Sequence, residues 1–174
     1  LSENTYVVDF GQNIAGVCRL KLPSNLINGQ KIIITHSEEI EANGDISFST
    51  MRNAANKDEY IAVGDGTDLC EWQPSFTYHG FRYVRIEGLE YVGEEDIIAY
   101  CLRTAIPKIG DFRSGSAILN AVHQAVIHTE QDNIMSILTD CPQRDERAGW
   151  MNDATVRFAA QKYNFVNARL MEKF

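Results

Sequence analysis

VCRLKL, residues 17 to 22, alternates apolar and charged side chains, which is the pattern of a half-buried β-strand. In an extended chain the apolar side chains at the even positions share one face, and Arg19 and Lys21 lie on the other. A strand of this kind buries one face only. It therefore predicts partner strands and a second layer that covers the core.

Five further segments between residues 6 and 103 carry strand signals, with β-branched and aromatic residues bounded by turn formers. They are YVVDF, KIIITHS, DEYIAV, FRYVRIEG and DIIAYCLR. Turns are predicted at GQN (11–13), at the NG pairs 28–29 and 43–44, and at GDG (64–66). These signals predict an antiparallel β-sandwich over residues 1–106.

The periodicity becomes helical after Pro107, so the predicted fold class is β plus α. Ser116 is the predicted N-cap of a first helix that runs to about residue 137, and a second helix is predicted over 154–172. The apolar stripe of the first comprises Ile118, Val122, Ala125 and Val126, and that of the second comprises Val156, Ala159, Ala160, Tyr163, Asn167 and Leu170.

Two helices of this length cannot enclose a core. Their stripes are expected to pack on the sandwich, on a second copy of the chain, or on helices that residues 107–174 do not include. Self-association of the isolated chain is therefore expected. The chain opens without Met and stops inside a predicted helix, which favours an excised piece of a longer protein.

Composition excludes several classes of partner. The net charge of -8 disfavours nucleic acid and anionic membrane surfaces, and no apolar run approaches the roughly 18 residues of a membrane span. The four cysteines form no CxxC pair and are predicted to be buried free thiols. Together with the absence of a signal peptide they favour the cytoplasm, with a secreted or periplasmic parent protein as the alternative.

DCPQRDERAGWMND, residues 140–153, combines four carboxylic acids with two arginines, a Cys-Pro pair and a tryptophan. Pro142 and Gly149 place it in a loop between the two predicted helices. A solvated, salt-bridged connector is one interpretation, but it has no use for a large aromatic. Glycosidic bond cleavage is a chemistry that fits the segment, because it requires one protonated carboxylic acid and further carboxylates around an oxocarbenium-like transition state. Composition alone indicates this chemistry only weakly.

The same segment resembles the DCPQRDERLGWTGD signature of bacterial α-L-rhamnosidases of glycoside hydrolase family 78. VVDFGQNIAGVCRLKLP, HSEEI with NGDI, MRNAANKDEYIAVGDG and QPSFTYHGFRYVRIEGL resemble the concanavalin-like β-sandwich that precedes the catalytic barrel of that family. GDFRSGSAILNAVHQAV resembles the entry to the first barrel helix. The resemblance implies that residues 107–174 are the truncated start of an (α/α)6 catalytic barrel.

The resemblance also implies roles for the motif residues. Glu146 matches the general acid, Asp140 and Asp153 match carboxylates that hold rhamnose hydroxyls, and Trp150 matches the aromatic that lines the sugar site. The motif residues Arg144 and Asp145 are assigned supporting roles in substrate binding. Family members invert the anomeric configuration with a glutamate far downstream as general base, so this chain alone is expected to be inactive.

Alternatives stay open for each of these residues. Glu146 could pair only with Arg144 or Arg147, Asp153 could be the N-cap of the second helix, Asp140 could cap a local turn, and Trp150 could belong to the core. Ala148 and Met151-Asn152 depart from the Leu and Thr-Gly of the family pattern, which puts details of the sugar subsite in doubt. For the whole chain, a non-catalytic carbohydrate-binding or interaction module is the rival function.

Two weaker candidates lie in the β region. His36 and His79 with Glu38 could bind a metal, but the spacing is not that of a ligand set, and a structural role is preferred. Arg82 and Arg85 beside aromatic residues could bind sugar, although arginines on a half-buried strand are the preferred interpretation. No metal or other cofactor is predicted, and rhamnose-containing glycosides are the expected ligands.

Overall fold

The computed structural model describes residues 4 to 173, which form two compact units. The β unit comprises the described residues up to Cys101 together with Gln143–Asp145. The helical unit comprises Leu102–Pro142 and the described residues from Glu146 onward.

The β unit contains one antiparallel sheet of six strands in the order β3-β2-β5-β1-β4, with β6 also paired to β1. The strands are β1 (Thr5–Lys21), β2 (Lys31–Ser37), β3 (Lys57–Ile61), β4 (Glu71–Trp72), β5 (His79–Glu87) and β6 (Ile97–Cys101). The predicted antiparallel β region followed by helices is confirmed. The two expected layers are parts of one curled sheet, because the long strand β1 takes part in both.

Strand β1 joins two of the predicted strands and shows that one predicted turn is wrong. YVVDF and VCRLKL belong to the same strand, whose first part pairs with β5 and whose last part pairs with β6 and β4. The expected turn at GQN is a bulge, since the register with β5 shifts between Asp9 and Ile14. Gly11 has a φ of 76°, and its N–H donates to Asp9 Oδ1 at 2.7 Å, so the bulge closes locally without ending the strand.

The core of the β unit is a single apolar cluster to which four strands contribute. Its buried members are Ile14, Cys18, Leu20, Leu22, Leu26, Ile32, Ile34, Ala62, Phe81, Val84, Ile86, Leu89 and Ile97. The even positions of VCRLKL all lie in this cluster, which confirms the alternation that predicted the strand.

The helical unit contains α1 (Ala117–Asp132), a short hairpin of β7 (Ile134–Met135) and β8 (Ile137–Leu138), α2 (Met151–Asn164) and α3 (Ala168–Lys173). The predicted N-cap of α1 is confirmed, because Ser116 Oγ accepts from Leu119 N. Helix α1 ends before residue 137. Asn133 is its C-cap, and the hairpin that follows turns at Ser136, whose φ is 64°.

The single second helix predicted over 154–172 is also wrong, because residues 165–167 separate α2 from α3. Phe165 is buried and extended, and it forms an antiparallel bridge with Lys108. Val166 N donates to Pro107 O at 2.9 Å. At residues 165–167 the backbone therefore pairs with Pro107 and Lys108, and these bonds take the place of the hydrogen bonds of a continuous helix.

Most of the predicted helical stripes are exposed. Ile118, Val122 and Val126 on α1 and Val156 and Tyr163 on α2 all face solvent. The buried positions are instead Ile127 and Glu130 on α1 and Ala154, Gln161 and Asn164 on α2. Of the four free cysteines, Cys18 and Cys141 are buried as expected, whereas Cys70 and Cys101 are exposed. Within residues 4–173 no helix has the length and apolarity that crossing a membrane requires.

Candidate active site

The acidic motif begins with a loop whose two ends, Asp140 and Ala148, belong to the helical unit. Asp140 N donates to Ala148 O at 3.0 Å, and Ala148 N donates to Asp140 Oδ1 at 2.7 Å. These reciprocal bonds join the two ends of a nine-residue segment, as a side-chain cap does in a turn. Asp140 therefore does cap a local turn, and any role in binding sugar has to be compatible with that contact.

Glu146 and Trp150 are directly bonded. Trp150 Nε1 donates to Glu146 Oε1 at 2.8 Å, and the tryptophan is 52% exposed. Trp150 is thus not a core residue, and its ring presents an apolar surface beside a carboxyl group. Because an indole nitrogen only donates, Oε1 of Glu146 is the accepting oxygen in this bond.

Arg144 and Asp145 belong with the β unit. Asp145 Oδ1 lies 3.8 Å from Arg52 Nε, which is an ion pair without hydrogen-bond geometry. The neighbouring carbonyl of Gln143 accepts a hydrogen bond from Asn56 Nδ2 at 2.7 Å. Residues 143–145 are therefore held by the segment that precedes β3.

Asp153 lies in the first turn of α2 and is exposed. The N-cap of α2 is Trp150, so the alternative that Asp153 caps this helix is wrong. An exposed carboxylate in the first turn interacts favourably with the positive end of the helix dipole.

Behind the loop, the buried carboxylate of Glu130 joins the end of α1 to α2. Arg157 Nε lies 3.2 and 3.1 Å from the two Glu130 oxygens, and Arg157 Nη2 lies 3.0 Å from Oε2. Gln161 Nε2 donates to the same Oε2. Several donors therefore bind the Glu130 carboxylate. Without them, a buried negative charge near the C-terminal end of a helix would destabilise the fold.

The same arginine reaches the start of the acidic loop. Arg157 Nη1 donates to Thr139 O at 2.8 Å, directly before Asp140. Neither Glu130 nor Arg157 is predicted from the sequence, because a pairing between residues 27 positions apart leaves no local signal.

The histidine candidates form a buried cluster with Asp58 in place of Glu38. His79 Nε2 lies 3.0 Å from both Asp58 oxygens, and the two imidazole rings stack with centroids 4.1 Å apart. Two imidazoles and a carboxylate are a donor set that suits zinc. However, a nitrogen that donates its proton to Asp58 cannot also bind a cation, so we interpret the cluster as part of the core. That the protein uses no metal remains a prediction.

The strand arginines are held in ion pairs on the sheet. Arg82 Nε and Nη2 donate to the two Asp9 oxygens at 2.7 and 2.8 Å, and this hydrogen bonding lowers the pKa of Asp9. Arg85 lies 3.1 Å from Asp45 and 3.2 Å from Glu87. These contacts favour the interpretation of arginines anchored on a half-buried strand.

Comparison with known proteins identifies both regions. Residues 1–103 match the bacterial alpha-L-rhamnosidase concanavalin-like domain, and residues 107–174 match the bacterial alpha-L-rhamnosidase 6 hairpin glycosidase domain. An alpha-L-rhamnosidase from Formosa agariphila is 36% identical over 170 residues, which are 94% of this chain and 17% of that protein.

Solved structures resemble the chain over almost its whole length. The alpha-L-rhamnosidase from Dictyoglumus thermophilum is 42% identical with a TM-score of 0.88, over 95% of this chain and 19% of that one. The Streptomyces avermitilis alpha-L-rhamnosidase, solved in complex with L-rhamnose, is 31% identical with a TM-score of 0.89, over 99% of this chain and 16% of that one. The chain thus spans less than a fifth of the length of these relatives. It belongs to the bacterial α-L-rhamnosidase family.

Proposed function

We propose that the full-length protein containing this chain hydrolyses terminal α-L-rhamnosides with inversion of configuration, and that Glu146 is its general acid. The observation that carries the proposal is the bond between Glu146 and the exposed Trp150 within the segment DCPQRDERAGWMND of a rhamnosidase family member. A carboxyl oriented beside an apolar platform is the arrangement that protonation of a sugar-bound oxygen requires.

In the proposed reaction Glu146 gives its proton to the glycosidic oxygen as the bond from that oxygen to the anomeric carbon breaks. A water molecule attacks the opposite face of the sugar and gives its proton to a general base. In inverting enzymes the two carboxyl groups lie roughly 6.5 to 9.5 Å apart, which leaves room for that water. We assign the base to a residue outside the 174 that make up this chain.

Trp150 has two parts in this proposal. Its indole N–H donates to Oε1 of Glu146 and thereby orients the carboxyl group. The exposed ring supplies an apolar surface for the face of the sugar. Asp140, Asp153, Arg144 and Asp145 are proposed to bind rhamnose hydroxyls, with Asp140 also retaining its bonds to Ala148.

The proposal is tested by incubating the full-length protein with 4-nitrophenyl α-L-rhamnoside beside a panel of other 4-nitrophenyl glycosides. We expect selective release from the rhamnoside, with β-L-rhamnose as the first anomer in the NMR spectrum. First formation of the α anomer would contradict inversion. No release from any rhamnoside would favour a non-catalytic carbohydrate-binding module.

The 174-residue chain serves as the second sample in the same assay. We expect no turnover, because an inverting mechanism requires both carboxyl groups around one substrate. Hydrolysis by this chain at a rate near that of the full-length protein would show that it already contains the base.

A further inference from the structure

The segment before β3 has a strained backbone beside the acidic motif. Arg52 and Asn56 have φ values of 54° and 42°, a left-handed conformation that few residues other than glycine adopt. Asparagine tolerates this conformation better than most side chains. Asn56 is only 3% exposed, so the residue in this left-handed conformation has a buried side chain.

The side chain of Asn56 is directed at the motif. Its Nδ2 donates to Gln143 O at 2.7 Å, and Gln143 is three residues before Glu146. This bond joins residues 87 positions apart within the β unit. A single short bond thus fixes the backbone of the motif shortly before the proposed general acid.

Asn56 itself is fixed from the core of the β unit. Its carbonyl accepts from His36 N at 2.8 Å and lies 3.1 Å from His36 Nδ1. A carbonyl only accepts, so Nδ1 carries the proton of this imidazole. His36 is fully buried and stacks on His79, which is hydrogen-bonded to Asp58. The buried cluster therefore acts as a rigid support for Asn56.

We propose that Asn56 is a positioning residue for the general acid, acting through the Gln143 carbonyl. The inference rests on the proposed function of Glu146. The loop is already closed by the bonds between Asp140 and Ala148 in the helical unit. A second attachment at Gln143 limits the movement of the chain that carries Glu146, and proton transfer depends on such fixed geometry.

The test compares the full-length protein with its Asn56→Gly variant. Glycine keeps the left-handed backbone and removes the whole side chain, including the NH2 group that donates to Gln143 O. Asn43→Gly is the matched control, because Asn43 lies in a turn of the same unit and accepts a local bond from Asp45 N. Each protein is assayed with methyl α-L-rhamnoside, whose leaving group needs a proton, and with 2,4-dinitrophenyl α-L-rhamnoside, whose leaving group does not.

We expect Asn56→Gly to lower kcat on the methyl rhamnoside roughly 10- to 100-fold, with a much smaller change on the dinitrophenyl rhamnoside. Incomplete folding would lower both rates in proportion, so the ratio of the two rates reports positioning alone. Asn56→Asp, which keeps the side-chain shape and lacks the NH2 group, is expected to change the ratio in the same direction at neutral pH. The ratio for Asn43→Gly should equal that of the unaltered protein.

The outcomes separate this inference from the proposed function. Hydrolysis by the unaltered protein with an unchanged rate ratio in both Asn56 variants would overturn the positioning role and leave the function intact. Absence of hydrolysis by the unaltered protein would overturn the proposed function and the positioning role with it.

Discussion

The two units differ in how far each encloses its own apolar residues. In the β unit thirteen buried residues from four strands and their connections form one cluster. In the helical unit the corresponding cluster contains only Ile134, Leu138, Ala154 and Leu170, while Val122 of α1 is 56% exposed. The β unit therefore forms a core from its own residues, whereas apolar side chains of α1 remain exposed within residues 4–173.

The largest expected difference between the units comes from a matched pair of truncations. Phe81→Ala removes a fully buried ring from the β core and is expected to cost about 3 to 5 kcal/mol of unfolding free energy. Val122→Ala on the exposed face of α1 should change it by less than about 0.5 kcal/mol. Denaturant unfolding of the 174-residue chain measures both. Similar values for the two would contradict the contrast between the units.

A second prediction concerns the polar contacts that hold the helical unit together. Arg157→Ala leaves the buried Glu130 carboxylate without its main partner and should cost about 3 kcal/mol. The control is Arg113→Ala, which removes an exposed partner of Asp111 and should cost less than about 1 kcal/mol. Thermal unfolding followed by helical circular dichroism measures the effect. Equal losses would show that the Glu130 network contributes no more than a surface ion pair.

Self-association of the isolated chain is the third and smaller effect. The exposed face of α1 predicts concentration-dependent association in analytical ultracentrifugation. Val122→Glu should shift the chain toward the monomer, whereas Ile27→Glu, at an exposed position of the β unit, should not. A monodisperse monomer at high concentration would contradict the prediction.

The smallest predicted effect is a pH dependence within the β unit. The backbone N–H groups of Val63 and Gly64 donate to Asp68 and hold the pKa of its carboxyl below the usual range. A lowered folded-state pKa stabilises the protein above the unfolded pKa, and the contribution is lost as the pH falls through the folded pKa. The stability difference from Asp68→Asn should therefore shrink in acid. A difference that is constant from neutral pH to pH 3 would contradict this.

Local patterns predicted the elements of the fold better than their connections. The β-branched segment KIIITHS predicted β2 with its bounds, and the Ser116 cap predicted the start of α1. The bulge at Gly11 and the interruption at Phe165 were missed because distant partners decide them, namely β5 for the first and Lys108 for the second. Strand order in the sheet likewise depends on contacts that local periodicity does not record.

For the site, the sequence supplied the motif but not its supports. The composition of residues 140–153 points to a site, and two of its residues, Glu146 and Trp150, are bonded to each other. Asn56 donates to the Gln143 carbonyl within the motif, 87 positions away. Arg157 donates to the Thr139 carbonyl directly before the motif, 18 positions away. Neither residue stands in a pattern that points to the motif. Residues that carry the chemistry cluster in sequence here, whereas residues that hold them are assembled only by the fold.

The proposed function depends on Glu146 as the general acid of a rhamnosidase. The most direct test measures kcat of the full-length protein and its Glu146→Gln variant on methyl and 2,4-dinitrophenyl α-L-rhamnosides. We predict that the variant loses roughly 10²- to 10⁴-fold on the methyl rhamnoside and far less on the dinitrophenyl rhamnoside, because only the first leaving group needs a proton. Unchanged cleavage of the methyl rhamnoside by Glu146→Gln would contradict the assignment.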